Sequence, residues 1–125
     1  MEIIAREKAL VRLANKASTD LSGKEGFIAE YDSGLKLSGG TNALGVITEG
    51  GATESDVAIL GTFDGVLRGK AAGTIAVGDK LKVDSNGKLA AYTSGAGTVV
   101  GVALQAGVAD ELVEFAPMAP EVRAA

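Results

Sequence analysis

Residues 45–60 can be laid over residues 101–116 without a gap, at an offset of 101 − 45 = 56. Gly45-Val46-Ile47 falls on Gly101-Val102-Ala103, Gly51 on Gly107, Glu54 on Asp110, and Val57-Ala58-Ile59 on Val113-Glu114-Phe115. A chain that states one unit twice is constrained to fold it twice. The later copy reads as strand, turn, strand. A β-branched run, Val99 to Leu104, precedes the small residues Gln105, Ala106 and Gly107, a polar corner at Asp110 and Glu111, and a second run from Leu112 to Ala116.

The match extends in both directions. Leu10-Val11-Arg12 falls on Val66-Leu67-Arg68 at the same offset of 56, and the second of these, boxed between Gly65 and Gly69, is too short for a helix. This favours a strand there over a first helix from Ile3 to Lys16, although that stretch holds good helix formers. Asn15 to Ser22 reads as a polar loop. Gly26 to Gly34 corresponds to Gly78 to Gly87 with the offset reduced to 52. In the later copy Leu81 and Val83 alternate with Lys80, Lys82 and Asp84, as in a strand buried on one face. Asp84-Ser85-Asn86-Gly87 then supplies the turn chemistry of a hairpin into Lys88-Leu89-Ala90-Ala91-Tyr92. Inward positions agree between copies: Leu44 with Val100, Val46 with Val102, Val57 with Val113, Ile59 with Phe115.

The sequence therefore predicts an all-β fold: one domain over residues 10–116, built from two related halves, residues 10–60 and 66–116. Residues 1–9 form an N-terminal arm outside the repeat and residues 117–125 a C-terminal tail, whose Pro117 and Pro120 suit the end of a sheet. At 125 residues, one core can form without staples. The 18 glycines, without a three-residue period, imply many tight turns and exclude collagen.

Chemistry is limited by what is missing. With Cys 0, His 0 and Trp 0 there are no disulfides, thiolate nucleophiles, imidazole bases or usual zinc ligands. No apolar run approaches the ~20 residues of a membrane span, and charges interrupt any signal peptide in Met1 to Arg6. A net charge of −4 gives no basic footprint for nucleic acid. Gly69-Lys70 lacks the first glycine and the hydroxyl of a phosphate loop, having Asp64 and Ala71 there, and Gly95-Ala96-Gly97 meets Val100 where a dinucleotide fingerprint needs glycine. Asp84-Ser85-Asn86-Gly87 resembles a calcium loop only faintly, because Lys88 and Gly95 stand where oxygen ligands belong. Ser85 and Lys88 have S-x-x-K spacing on a turn, which cannot bring them to one helical face. Asp110, Glu111 and Glu114 read as solvated acids, not as a glycosidase pair. No catalytic residue, metal site or cofactor is expected, and the chain is not expected to be an enzyme.

The stretch Ala72-Gly73-Thr74-Ile75-Ala76-Val77-Gly78-Asp79-Lys80-Leu81-Lys82-Val83-Asp84, then Gly87-Lys88, Val99-Val100-Gly101-Val102-Ala103-Leu104 and Ala109-Asp110-Glu111-Leu112-Val113, resembles the capsid decoration, or cement, proteins of tailed bacteriophages. Alanine stands at Ala109 where the family pattern has glycine. The resemblance implies a compact β-barrel or β-tulip-like body that binds the outside of a phage capsid and stabilises it. It implies the major capsid protein as partner, a homo-oligomer, trimer or dimer, at capsid symmetry axes, and residence on the virion exterior after synthesis in the host cytoplasm. Neither nucleic acid nor membrane is an expected partner. A tail or neck module, or a carbohydrate-binding β-domain on a particle, is the alternative. Capsid contact is expected from the arm, through Glu2, Ile3, Ile4 and Arg6, since two β-branched residues beside charges suit strand addition to a partner's sheet edge.

Overall fold

A computed structural model describes residues 12–61 and 66–124. The first five strands are β1 (Arg12–Lys16), β2 (Ile28–Tyr31), β3 (Leu35–Leu37), β4 (Gly45–Glu49) and β5 (Asp56–Gly61), in the sheet order β1-β5-β4-β2-β3. The next five are β6 (Leu67–Lys70), β7 (Lys80–Val83), β8 (Leu89–Ala91), β9 (Gly97–Ala103) and β10 (Leu112–Arg123), in the order β6-β10-β9-β7-β8. Adding five to every strand number converts one sheet into the other. All pairings within the sheets are antiparallel. Among the described residues there is no helix and no closed barrel. The barrel expected from the sequence gives way to two open sheets, each with two edge strands, because no strand of one sheet pairs with a strand of the other.

The turn chemistry acts as the residues suggest. Asp84 Oδ1 accepts the backbone N–H groups of Asn86 and Lys88 at 2.8 and 2.9 Å, and Gly87 takes φ +79°, closing the β7–β8 hairpin. In β1 the register departs from the sequence alignment. Leu13 pairs with Ile59 as Leu67 pairs with Phe115, so Leu13 corresponds to Leu67 at an offset of 54, not 56. β1 is also a strand where the helix alternative required helix. The loop after it is less polar than it reads, since Leu21 is fully buried.

Two apolar clusters form the core. One holds Leu21, Phe27, Leu35, Ile47, Val57 and Ile59 of the first half. The other centres on Leu81, Leu89, Val100, Val113 and Phe115 of the second half, and it also takes in Ile28 and Val46. Strands β2 and β4 thus bury both faces: Ala29 and Ile47 point into their own half, Ile28 and Val46 into the other. A fully buried side chain of this size contributes roughly 1.5–3 kcal/mol, so this shared layer holds the halves together. One inward assignment is corrected. Val102, the sequence counterpart of Val46, is only half-buried and lies outside both clusters, because nothing among the described residues covers its face as the second half covers Val46.

Candidate interaction surface

The arm residues expected to touch a capsid, Glu2, Ile3, Ile4 and Arg6, lie outside the described residues. The described surface can be built from its charges and its exposed apolar groups.

The carboxylates singled out in the sequence have structural partners. Asp110 accepts a 2.7 Å hydrogen bond from Lys88 Nζ, Glu114 pairs with Arg68 at 3.3 Å, and Glu111 Oε1 accepts the Val108 N–H at 2.9 Å. The Lys88 hydrogen bond, then its charge, holds the Asp110 carboxyl below the usual carboxylate range, with a smaller contribution from Lys70. Asp20 is lowered in the same direction by hydrogen bonds from the side chain and the backbone of Ser22. Lys88 therefore reaches across the fold to Asp110 and not to Ser85, and its ammonium also lies 5.7 Å from the centre of the Phe27 ring. These pairs are local restraints. Among the described residues no group of three or more acids gathers as a metal site.

Glu54 and Asp110, paired by the repeat, share the left-handed backbone at φ +72° and +69°, and each donates its N–H to the equivalent alanine carbonyl, Ala17 or Ala71, at 2.8 Å. The acids at these two positions are thus backbone corners, where short polar side chains tolerate αL best.

Two clefts have some depth. One of about 320 Å³ lies where the halves meet, walled by Val46 and Thr48 of the first half and by Val66, Arg68 and Leu112 of the second. Another of about 370 Å³ lies between Tyr31, Ala43 and Leu44 on one side and Pro120 and Val122 on the other. Tyr31 and Val122 are among the exposed large apolar residues, at 58% and 69% exposure. Neither cleft gathers the convergent polar groups that orient a small ligand. Pro120 and Val122 were missed by the sequence reading. They belong to β10, which runs on to Arg123 through a register shift between Pro117 and Glu121, and a strand crossing two prolines has no local signal.

An all-β body with its acids engaged and its apolar side chains displayed on open clefts belongs to the class of structural proteins that work through surfaces. The phage cement protein family matches residues 4–116, and the chain belongs to that family. A solved structure, the N base of the head fiber protein gp8.5 of bacteriophage phi29, is similar in fold with a TM-score of 0.68 and 16% sequence identity. The match covers 86% of this chain and 93% of that one. No curated protein matches. Family and neighbour are structural phage proteins, which supports a capsid-associated structural role.

Proposed function

We propose that this protein binds the outer surface of a bacteriophage capsid, through the major capsid protein, and stabilises the shell. The family match over residues 4–116 carries this reading. The head location named for the phi29 neighbour agrees with it. The body is a single domain of two halves with a common ancestry, as suggested by their identical strand order and by parallel bridges at equivalent places, Ala17 to Leu35 and Ala71 to Leu89. Residues 1–9 act as the arm, adding a strand to a coat-protein sheet edge with Ile3 or Ile4 in a pocket and Glu2 and Arg6 at the rim. Several arms in one oligomer engage several coat subunits, so that modest single contacts suffice. The carbohydrate-binding alternative needs an aromatic platform. Phe27 and Phe115 are buried and the Tyr92 hydroxyl donates to the Gly95 carbonyl at 2.8 Å, which leaves Tyr31 as the exposed ring among the described residues.

Co-sedimentation with purified capsids, followed by heating of the coated and uncoated shells, tests the proposal. Binding together with a raised temperature of shell disruption is expected, and binding without any gain in shell stability would remove the stabilising role. Deleting Met1 to Arg6 should abolish co-sedimentation at an unchanged melting temperature of the protein. A truncated chain that still coats capsids would remove the arm from the mechanism.

A further inference from the structure

Gly26 and Gly78 occupy the same place in the two halves. Gly26 has φ +89° and donates its N–H to the Ile47 carbonyl at 2.9 Å; Gly78 has φ +90° and donates to the Ala103 carbonyl at 2.8 Å. Their surroundings differ. Lys70 N–H donates to the Gly26 carbonyl at 2.8 Å, and a methyl group on Gly26 would fall 2.6 Å from Leu112 Cδ2. The same methyl on Gly78 would meet no described atom within 4 Å. The second half therefore sits on one face of the first sheet, and the equivalent face of the second sheet is open.

The side chains follow this difference. Around the covered face stand Glu25, Val46 and Thr48; their counterparts around the open face are Val77, Val102 and Leu104. Val77 is 67% and Leu104 47% exposed, and Val102 is half-buried. The fold itself does not demand apolar residues there, because the first half carries glutamate and threonine at two of the three places. Uncovered apolar groups on a face whose twin is a protein interface point to a surface that is covered in use.

The occupant is indicated by what covers the twin. In the first sheet it is Lys70 of β6, Leu112 of β10 and the β7–β8 turn, whose Gly87 carbonyl accepts the Ile28 N–H at 2.7 Å. The counterparts of these are Lys16 in β1, Asp56 in β5 and the β2–β3 turn through Asp32, all at one end of the first sheet. Charge agrees as well. The open face has the exposed Lys80 where the covered one has the buried Ile28, and the turn that would meet it carries Asp32, which is largely exposed in its pairing with Lys36.

We propose that the open face of the second sheet, Val77, Lys80, Val102 and Leu104, docks the β1 edge and β2–β3 turn of a second copy of this chain. The contact that joins the two halves within a chain is then repeated head to tail between chains. Such an interface is heterologous: each copy offers one face and one edge, and the series ends when a ring closes. This inference is separate from capsid binding, since a protein that coats capsids as a monomer would overturn it and leave the other reading intact.

Sedimentation velocity on the whole chain over a concentration series, with circular dichroism to verify folding, provides the test. The wild type should self-associate. Val102→Asp on the face and Asp32→Lys on the edge should each weaken association at least about tenfold. Because one variant keeps its edge and the other its face, mixing them should restore a single interface and give a 1:1 dimer and nothing larger. Lys80→Asp, at an exposed position that leaves the core intact, should also weaken association, and Lys80→Asp combined with Asp32→Lys should recover it. A wild type that stays monomeric, face variants that associate like the wild type, a mixture that stays monomeric, or a failed charge exchange would each overturn the proposal.

Discussion

The hydroxyl of Thr98, at the start of β9 in the second half, donates to the backbone carbonyl of Thr41 in the first half at 2.5 Å, linking positions 57 residues apart. Thr98 is buried, so its hydroxyl would be costly there without this acceptor.

Replacing it by the near-isosteric valine removes the bond and leaves the shape. Thr98→Val should lower stability by about 0.5–1.5 kcal/mol, seen as a drop of a few degrees in melting temperature by calorimetry. Thr98→Ser, which keeps the hydroxyl, should retain more of the stability.

Two neighbouring valines separate core from surface. Val100 is fully buried in the second cluster and Val102 is half-buried on the open face. Val100→Asp buries an unpaired carboxylate and should prevent folding. Val102→Asp should fold, with its effect confined to association. Circular dichroism of the two proteins distinguishes the positions, and loss of fold in both would return Val102 to the core.

Asp110 provides a pH dependence whose sign is set by its partner. Lys88 holds the folded carboxyl below its ordinary range, so the stabilisation is fully present above the unfolded value, about 3.9, and is lost as pH falls through the lower folded value. Asp110→Asn keeps a side chain that accepts the left-handed backbone there. The wild type should melt above this variant at neutral pH, and the advantage should shrink below about pH 4. An advantage that persists unchanged in strong acid would show that the ion pair is not its source.

At Gly101, in the middle of β9, an added methyl would lie 2.4 Å from the Ala116 carbonyl oxygen and 2.8 Å from Phe115 Cδ2. The backbone cannot yield without breaking the β9–β10 pairing. Gly101→Ala should destabilise by about 1–3 kcal/mol or more, whereas Gly73→Ala, where a methyl meets no described atom within 4 Å, should be close to neutral. Denaturant midpoints for the pair measure the difference.

Local chemistry made much of this architecture legible in the residues alone. The alternation through Leu81 and Val83 placed β7, the Asp84 to Gly87 tetrad placed its hairpin, and the ungapped match of residues 45–60 to 101–116 aligned β4 and β5 with β9 and β10. The family resemblance was likewise carried by short contiguous motifs. These signals are local: strand period, turn preference and repeat offset involve residues close in sequence.

Tertiary structure decided everything that depends on a distant partner. Val46 and Val102 are the same residue in matching strands, yet the second half covers the first of them and nothing described covers the other. Lys88 reads as a solvated turn lysine until the fold brings it to Asp110, 22 residues away. The absence of barrel closure also follows from packing, since β1 and β6 carry ordinary strand sequences whose outer edges the pairing simply leaves open. Periodicity can say that a strand has two faces, but which face meets protein depends on how the two sheets are set against each other, and no single segment of the chain contains that information.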